Sequence, residues 1–143
     1  MAKGTEMVAR FKPGENVPVY ANSAGNIVAG RFVTIVGRNA KNAFIGRHTG
    51  AGEYASGVAE RDAIQSVTDH RGGTNIVGTG SYARVVAGAA IDTSTGPVAV
   101  KSDSTGRAIP QGGSGVIIGY ALGRDDTGGP VTAAGQIATV KLA

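Results

Sequence analysis

His48 and His70 are the only imidazoles in the chain, and no cysteine accompanies them. With Ser114 and Asp125 they supply the residue types of a Ser-His-acid triad, in which the imidazole takes the hydroxyl proton and the carboxylate orients the ring. Gly112-Gly113-Ser114-Gly115-Val116 begins like a nucleophile elbow. It lacks the closing glycine, and no alternation of strand and helix surrounds it, so it reads as a flexible β-turn. Gly78-Thr79-Gly80-Ser81-Tyr82-Ala83 matches a dinucleotide-binding string. That string works only where a helix opens and turns its N-terminus to a pyrophosphate. Here Arg84-Val85-Val86 follows, strand-like and then broken by Gly88. Asp103-Ser104-Thr105-Gly106 and Asp125-Asp126-Thr127-Gly128 read as turns in which Asp caps its own backbone. Neither has the further carboxylates of a calcium loop. Glu60-Arg61-Asp62 reads as a solvated strand end. Arg71-Gly72-Gly73 is a single copy of a unit that RNA-binding segments repeat. These residues assemble no catalytic, cofactor or metal site, so none is expected, and the chain is not expected to be an enzyme.

The elements that carry these residues are read from composition and periodicity. The chain has 143 residues and 24 glycines, more than twice the usual share of about 7%. Glycine supplies positive φ at no steric cost, so this excess implies many tight turns between short strands. Three Phe, four Tyr and no Trp leave the core to Val, Ile, Ala and Leu. Without cysteine, stability must come from packing or assembly. The formal charge is +4, but the basic residues are scattered singly, which reads as an ordinary soluble surface or one that meets an acidic partner.

Strand-like runs recur at short intervals: residues 17–21, 31–36, 42–48, 81–86, 97–101, 116–122 and 136–142. Pro18 favours an edge position in the first. Residues 31–36 are apolar on both faces, with Phe32 and Val36 on one and Val33 and Ile35 on the other. A half-solvated sheet would be polar on one side, so this strand implies a second layer or a subunit contact. Residues 116–122 read as a central buried strand. Helix signals are poor: residues 58–68 are the one stretch that could hold a short helix, and its apolar residues do not sustain a 3.6-residue period. The expected fold class is all-β: a small antiparallel β-barrel or β-sandwich, β-tulip-like, with an extended N-terminal arm over residues 1–20 and a β-rich domain over residues 21–143. Within the arm, residues 6–11 alternate weakly and residues 12–16 read as a turn. The β-rich domain reads as two related units, residues 29–62 and 87–125. Each has an Ala-Gly turn, a β pair, a Gly/Ser-rich loop and a Gly-x-Ala strand ending in Arg-Asp.

Ala29-Gly30-Arg31-Phe32-Val33-Thr34-Ile35 and Gly57-Val58-Ala59-Glu60-Arg61-Asp62-Ala63 carry a resemblance. So, in this order, do Ala87-Gly88-Ala89-Ala90-Ile91, Pro97-Val98-Ala99-Val100, Gly106-Arg107-Ala108-Ile109-Pro110 and Gly119-Tyr120-Ala121-Leu122. Over residues 29–142 the chain resembles the capsid (head) decoration proteins of tailed bacteriophages, especially phages of actinobacteria. The resemblance implies a virion protein on the outer capsid surface that cements the capsomers. The implied partners are the major capsid protein and further copies of the chain, as a homotrimer, with no nucleic acid and no membrane. It implies no catalytic residues. The polar N-terminus leads into no apolar stretch, which fits synthesis in a bacterial cytoplasm. The rival readings are another virion part such as a tail or fibre protein, a carbohydrate-binding module, and a basic nucleic-acid-binding barrel.

Overall fold

The computed structural model describes residues 16–22, 25–63 and 73–143. Ten strands carry the fold: β1 (Asn16–Ala21), β2 (Phe32–Arg38), β3 (Phe44–His48), β4 (Gly57–Ala59), β5 (Thr74–Val77), β6 (Tyr82–Val86), β7 (Val98–Ser102), β8 (Ala108–Pro110), β9 (Gly119–Arg124) and β10 (Ile137–Leu142). Strands β1 to β5 close into a barrel in the order β1-β3-β2-β4-β5, and β6 to β10 form a sheet in the order β6-β10-β9-β7-β8. The all-β class therefore holds, with both barrel-like and layered character.

The two halves have corresponding strand pairings. Strand β2 lies between β3 and β4, as β7 lies between β8 and β9. Val33 faces Gly57 and His48; Val100 faces Gly119 and Pro110. The barrel closes where Ala21 meets Gly46 in parallel, and the second sheet curls round to one parallel bridge between Ala87 and Ala108. Even the flanking bridges correspond, Ile27 with Ala63 and Ile91 with Val131. The hairpin turns match as well. Asn39 Oδ1 accepts from the N–H groups of Lys41 and Ala43 at 2.9 and 3.0 Å. Asp103 Oδ1 accepts from Thr105 and Arg107 at 2.8 and 2.9 Å. The fourth turn residue is left-handed in both, Asn42 at φ 64° and Gly106 at φ 82°, as Asn and Gly tolerate best.

The interiors follow the same register. Val19, Ala21, Ile27, Val33, Ala59 and Ile76 fill the barrel. Val85, Ala87, Ile91, Val100, Ala121 and Val140 hold the matching places under the second sheet. Side chains this small suit a narrow barrel, which explains why so few aromatics suffice. Phe32 is different. It points out of the barrel and is fully buried in the second core, beside Val58 and Ala55. The two-sided apolarity of β2 is thus satisfied within one chain by a second layer: Val33 faces one core and Phe32 the other. Burying a Phe side chain contributes about 3 kcal/mol.

Several expectations change. Residues 16–20, expected at the end of an arm, form β1 and pair with β5 in the barrel, because Val17 and Val19 are core residues. Residues 1–15 lie outside the described residues. At Pro18 the strand has a neighbour on one side only, since pairing with β3 begins at Tyr20. Val58 and Ala59, at the start of the stretch that could hold a short helix, lie in β4; residues 64–68 of that stretch are outside the described residues. Residues 116–122 are a strand only from Gly119. That strand is central, but its buried face is Gly119, Ala121 and Gly123, while Tyr120 and Leu122 are exposed at 42% and 40%. The apolar run therefore splits between a core and a surface.

Gly57 and Gly119 occupy matching places, and both lack a Cβ for the same reason. A Cβ on Gly57 would lie 2.5 Å from the Val77 carbonyl oxygen, and one on Gly119 would strike that of Lys141. Gly119→Ala is expected to lower unfolding free energy in urea by about 1–3 kcal/mol through overpacking. Gly129→Ala, whose Cβ would meet nothing closer than 3.6 Å, should cost under about 0.5 kcal/mol. Equal losses for the two would contradict this packing.

Candidate docking surface

The described residues that could form a triad are each engaged in other bonds. His48 ends β3, and its Nε2 accepts from the Val28 N–H at 2.9 Å. Ser114 sits in the loop after β8, where Lys101 Nζ donates to its carbonyl oxygen at 3.1 Å. Asp125 follows β9, ion-paired to Arg84 at 3.1 Å and accepting from Thr139 Oγ1 at 3.2 Å. His70, Arg71 and Gly72 are outside the described residues. The dinucleotide-like string is the link between the halves. Gly80, at φ 84°, turns the chain from β5 into β6, so a strand follows where a nucleotide site needs a helix. Among the described residues no group of three or more His, Asp or Glu side chains is placed to hold a metal ion.

Both acidic stretches engage their own surroundings. Partial burial pushes the Asp103 carboxyl up, and hydrogen bonds from Arg107 and Thr105 more than offset this, so it sits below the ordinary carboxylate range. Asp126 also sits low, chiefly through its hydrogen bond from Arg124. The turn cap at Asp103 follows the spacing; the ion pairs of Asp103 with Arg107 and of Asp126 with Arg124 are added by the fold.

A surface remains that sequence reasoning did not assemble. On the outer face of the second sheet, Lys141 of β10 stands between Tyr82 of β6 and Tyr120 of β9 on one rung. The alternation of each strand turns Ala83, Ala121 and Val140 inward and leaves these three outward. Tyr82 is 63% exposed, and Lys141 Nζ lies 5.8 Å from its ring centre, within cation–π range. The tyrosines are two strands apart, roughly 10 Å. Leu122 and Ile137 add exposed apolar area on the same face. Tyrosines presented flat on a rigid sheet give contact area at low entropic cost, the property of a docking surface. The signal in the sequence was the period-two placement of Tyr120 and Leu122, hidden by the unbroken apolar run in which they sit. Between this sheet and the barrel runs a cleft of about 450 Å³, lined by Gly30, Val58, Ala59, Val77, Tyr82 and Arg84 among others.

No family model matches the chain, and no curated protein does. Among solved structures, the crystal structure of the head fiber gp8.5 N base in bacteriophage phi29 superposes with a TM-score of 0.66. The match covers 90% of this chain and 93% of that one, at 19% identity. The two chains share a fold. Coverage this complete extends to both halves and the joint between them, not to one barrel alone.

His48 also makes a pH prediction. Burial, and then the nearby Arg31 charge, hold its pKa below 6.5. A protonated Nε2 could not accept from Val28. Because the folded-state pKa is the lower one, the contribution is complete above about pH 6.5 and is lost as pH falls through the folded pKa. Lowering pH from about 7.5 to about 5.5 should destabilise the wild type more than His48→Gln, which keeps an acceptor without a titrating ring. Denaturant midpoints at the two pH values check this; parallel losses would contradict it.

Proposed function

We propose that this chain is a structural protein of a tailed-phage virion that binds the outer surface of the head and cements its capsomers. The observation that carries this reading is the likeness, over 90% of the chain, to the base of a phage head fibre. The order of motifs along residues 29–142 supports the same class. The exposed face of Tyr82, Lys141, Tyr120 and Leu122 supplies a rigid, amphipathic surface of the kind a capsid contact uses. Under this reading the partners are the major capsid protein and two further copies of the chain, as a homotrimer. A fold stabilised without disulfides suits assembly from a bacterial cytoplasm. A second reading, a fibre component rather than a cement, is favoured by the same neighbour, whose name is that of a fibre base.

The purified protein is expected to co-sediment with expanded, undecorated capsids of its phage at about 10 µM or below and to raise their resistance to heat. Absence of binding at that concentration would sink the cementing role. Tyr82→Ser with Tyr120→Ser should weaken binding by about tenfold or more while leaving the thermal midpoint of the free protein unchanged. Electron microscopy of labelled virions separates the two readings: label spread over the head surface marks a cement, label confined to projecting fibres or to the tail does not.

A further inference from the structure

Strand β6 ends the second sheet on one side, and part of its outer edge is unused. Leu142 N–H donates to the Ser81 carbonyl and Ala87 N–H to that of Gln136, both at 2.8 Å. Hydrogen-bonding residues alternate in an antiparallel ladder. Ala83 and Val85 therefore bond to β10, while Tyr82, Arg84 and Val86 turn their backbone groups away from it. Val86 N–H donates to the Gly30 carbonyl at 2.8 Å, which closes the gap between sheet and barrel at that end. Among the described residues, the backbone groups of Tyr82 and Arg84 have no such partner. They border the open part of the gap, the cleft of about 450 Å³, whose far wall is Val58, Ala59 and Val77. That volume falls within the range of about 300–1,000 Å³ typical of binding clefts.

Two residues spaced two apart, each turning an N–H and a C=O to one side beside an apolar wall, match an extended backbone. We propose that this edge receives an extended segment of the capsid surface, about three residues long, as a strand antiparallel to β6. Its supply by the capsid rests on the reading proposed above. Tyr82 belongs both to the cleft and to the exposed tyrosine face, so a partner seated on that face already lies at the edge. Charge favours the same source over a second copy. The chain carries +4, and the Arg84 side chain is 79% exposed at the mouth of the cleft. An acidic segment complements this charge, whereas another copy brings the same sign. The ladder also dictates the segment's side chains. Its middle residue, opposite Ala83, turns toward Val58 and Val77 and is apolar. Its flanking residues emerge beside Tyr82 and Arg84, where an acidic residue pairs across the strands with Arg84.

The test uses the outward direction of the Arg84 N–H. Proline is tolerated at such an edge position, so Arg84→Pro deletes the free donor without removing a bond of the fold. Arg84→Ala removes the side chain and keeps the donor. Binding to expanded, undecorated capsids is expected to be at least about tenfold weaker for Arg84→Pro than for Arg84→Ala. Equal affinities for the two variants would overturn the proposal. Amide hydrogen exchange in the wild type is a second measurement that needs no variant. Tyr82 and Arg84 should exchange freely in the unbound protein and at least about tenfold more slowly on capsids, with Ala83 and Val85 protected in both states. Capsid binding that leaves Tyr82 and Arg84 unprotected overturns the added strand and leaves the capsid reading standing. Slow exchange of these two amides in the unbound protein means that the edge is already paired, by the chain itself or by a second copy, and also overturns it. Absence of any capsid binding sinks both.

Discussion

Everything in this molecule hangs on the outer face of β2 being covered. A barrel of five short strands filled with Val, Ile and Ala buries little area, and its exterior at Phe32 and Val58 is as apolar as its interior. The second sheet covers that exterior, so its core takes in Phe32, Ala55 and Val58 of the first half across the joint. Backbone bonds fix the contact: Phe32 N–H donates to the Gly106 carbonyl at 2.7 Å, and Gly52 N–H to that of Ser102 at 2.9 Å. Gly106 is required here twice over, by its φ of 82° and because a Cβ would lie 2.8 Å from the Phe32 carbonyl oxygen. The hairpin between β7 and β8 is thus both a turn and a clasp.

Using one plan twice has a functional cost and a functional return. The matching residue to Phe32 in the second half is Ala99, since Phe32 pairs with Val58 as Ala99 pairs with Tyr120. The face that the first half hides under its partner is therefore the face the second half shows to solvent. Where the barrel carries Phe32 and Val58, the sheet carries Ala99 and Tyr120. The exposed tyrosine face is the counterpart of an interface that the chain already uses internally. Its tyrosines keep the capacity to be buried while tolerating water, which a phenylalanine does less well.

Much of the fold was legible from the chain. The strand periods located β1, β2, β6, β7 and β10 because each has inward apolar residues at every second place. Gly57-Val58-Ala59 and Gly119-Tyr120-Ala121 read alike in the chain, and both glycines must admit the carbonyl of the next strand. The matching of β1 with β6 and of β5 with β10 was not legible, because it lies in register and burial rather than in residue identity. The weak helix signal from residue 58 onward gave way at β4 to the Gly-x-Ala strand, where three residues between two neighbours give pairing the advantage over local preference. The triad residues could be named from the chain, but the partners that engage His48, Ser114 and Asp125 instead could not, since those are set by the topology.

The sequence by itself determined the class of the molecule: glycine-punctuated strands, small core side chains, no cysteine, and a turn capped by Asp103. Those are local properties, decided by steric freedom at each residue and by a period of two. Only the tertiary structure decided which apolar residues are core and which are surface. Phe32 and Tyr120 sit in similar strands with similar neighbours. One is buried and the other exposed because the second sheet lies over the barrel and nothing within the chain lies over the second sheet, among the residues described. That asymmetry comes from how two like units pack, and no single strand carries it.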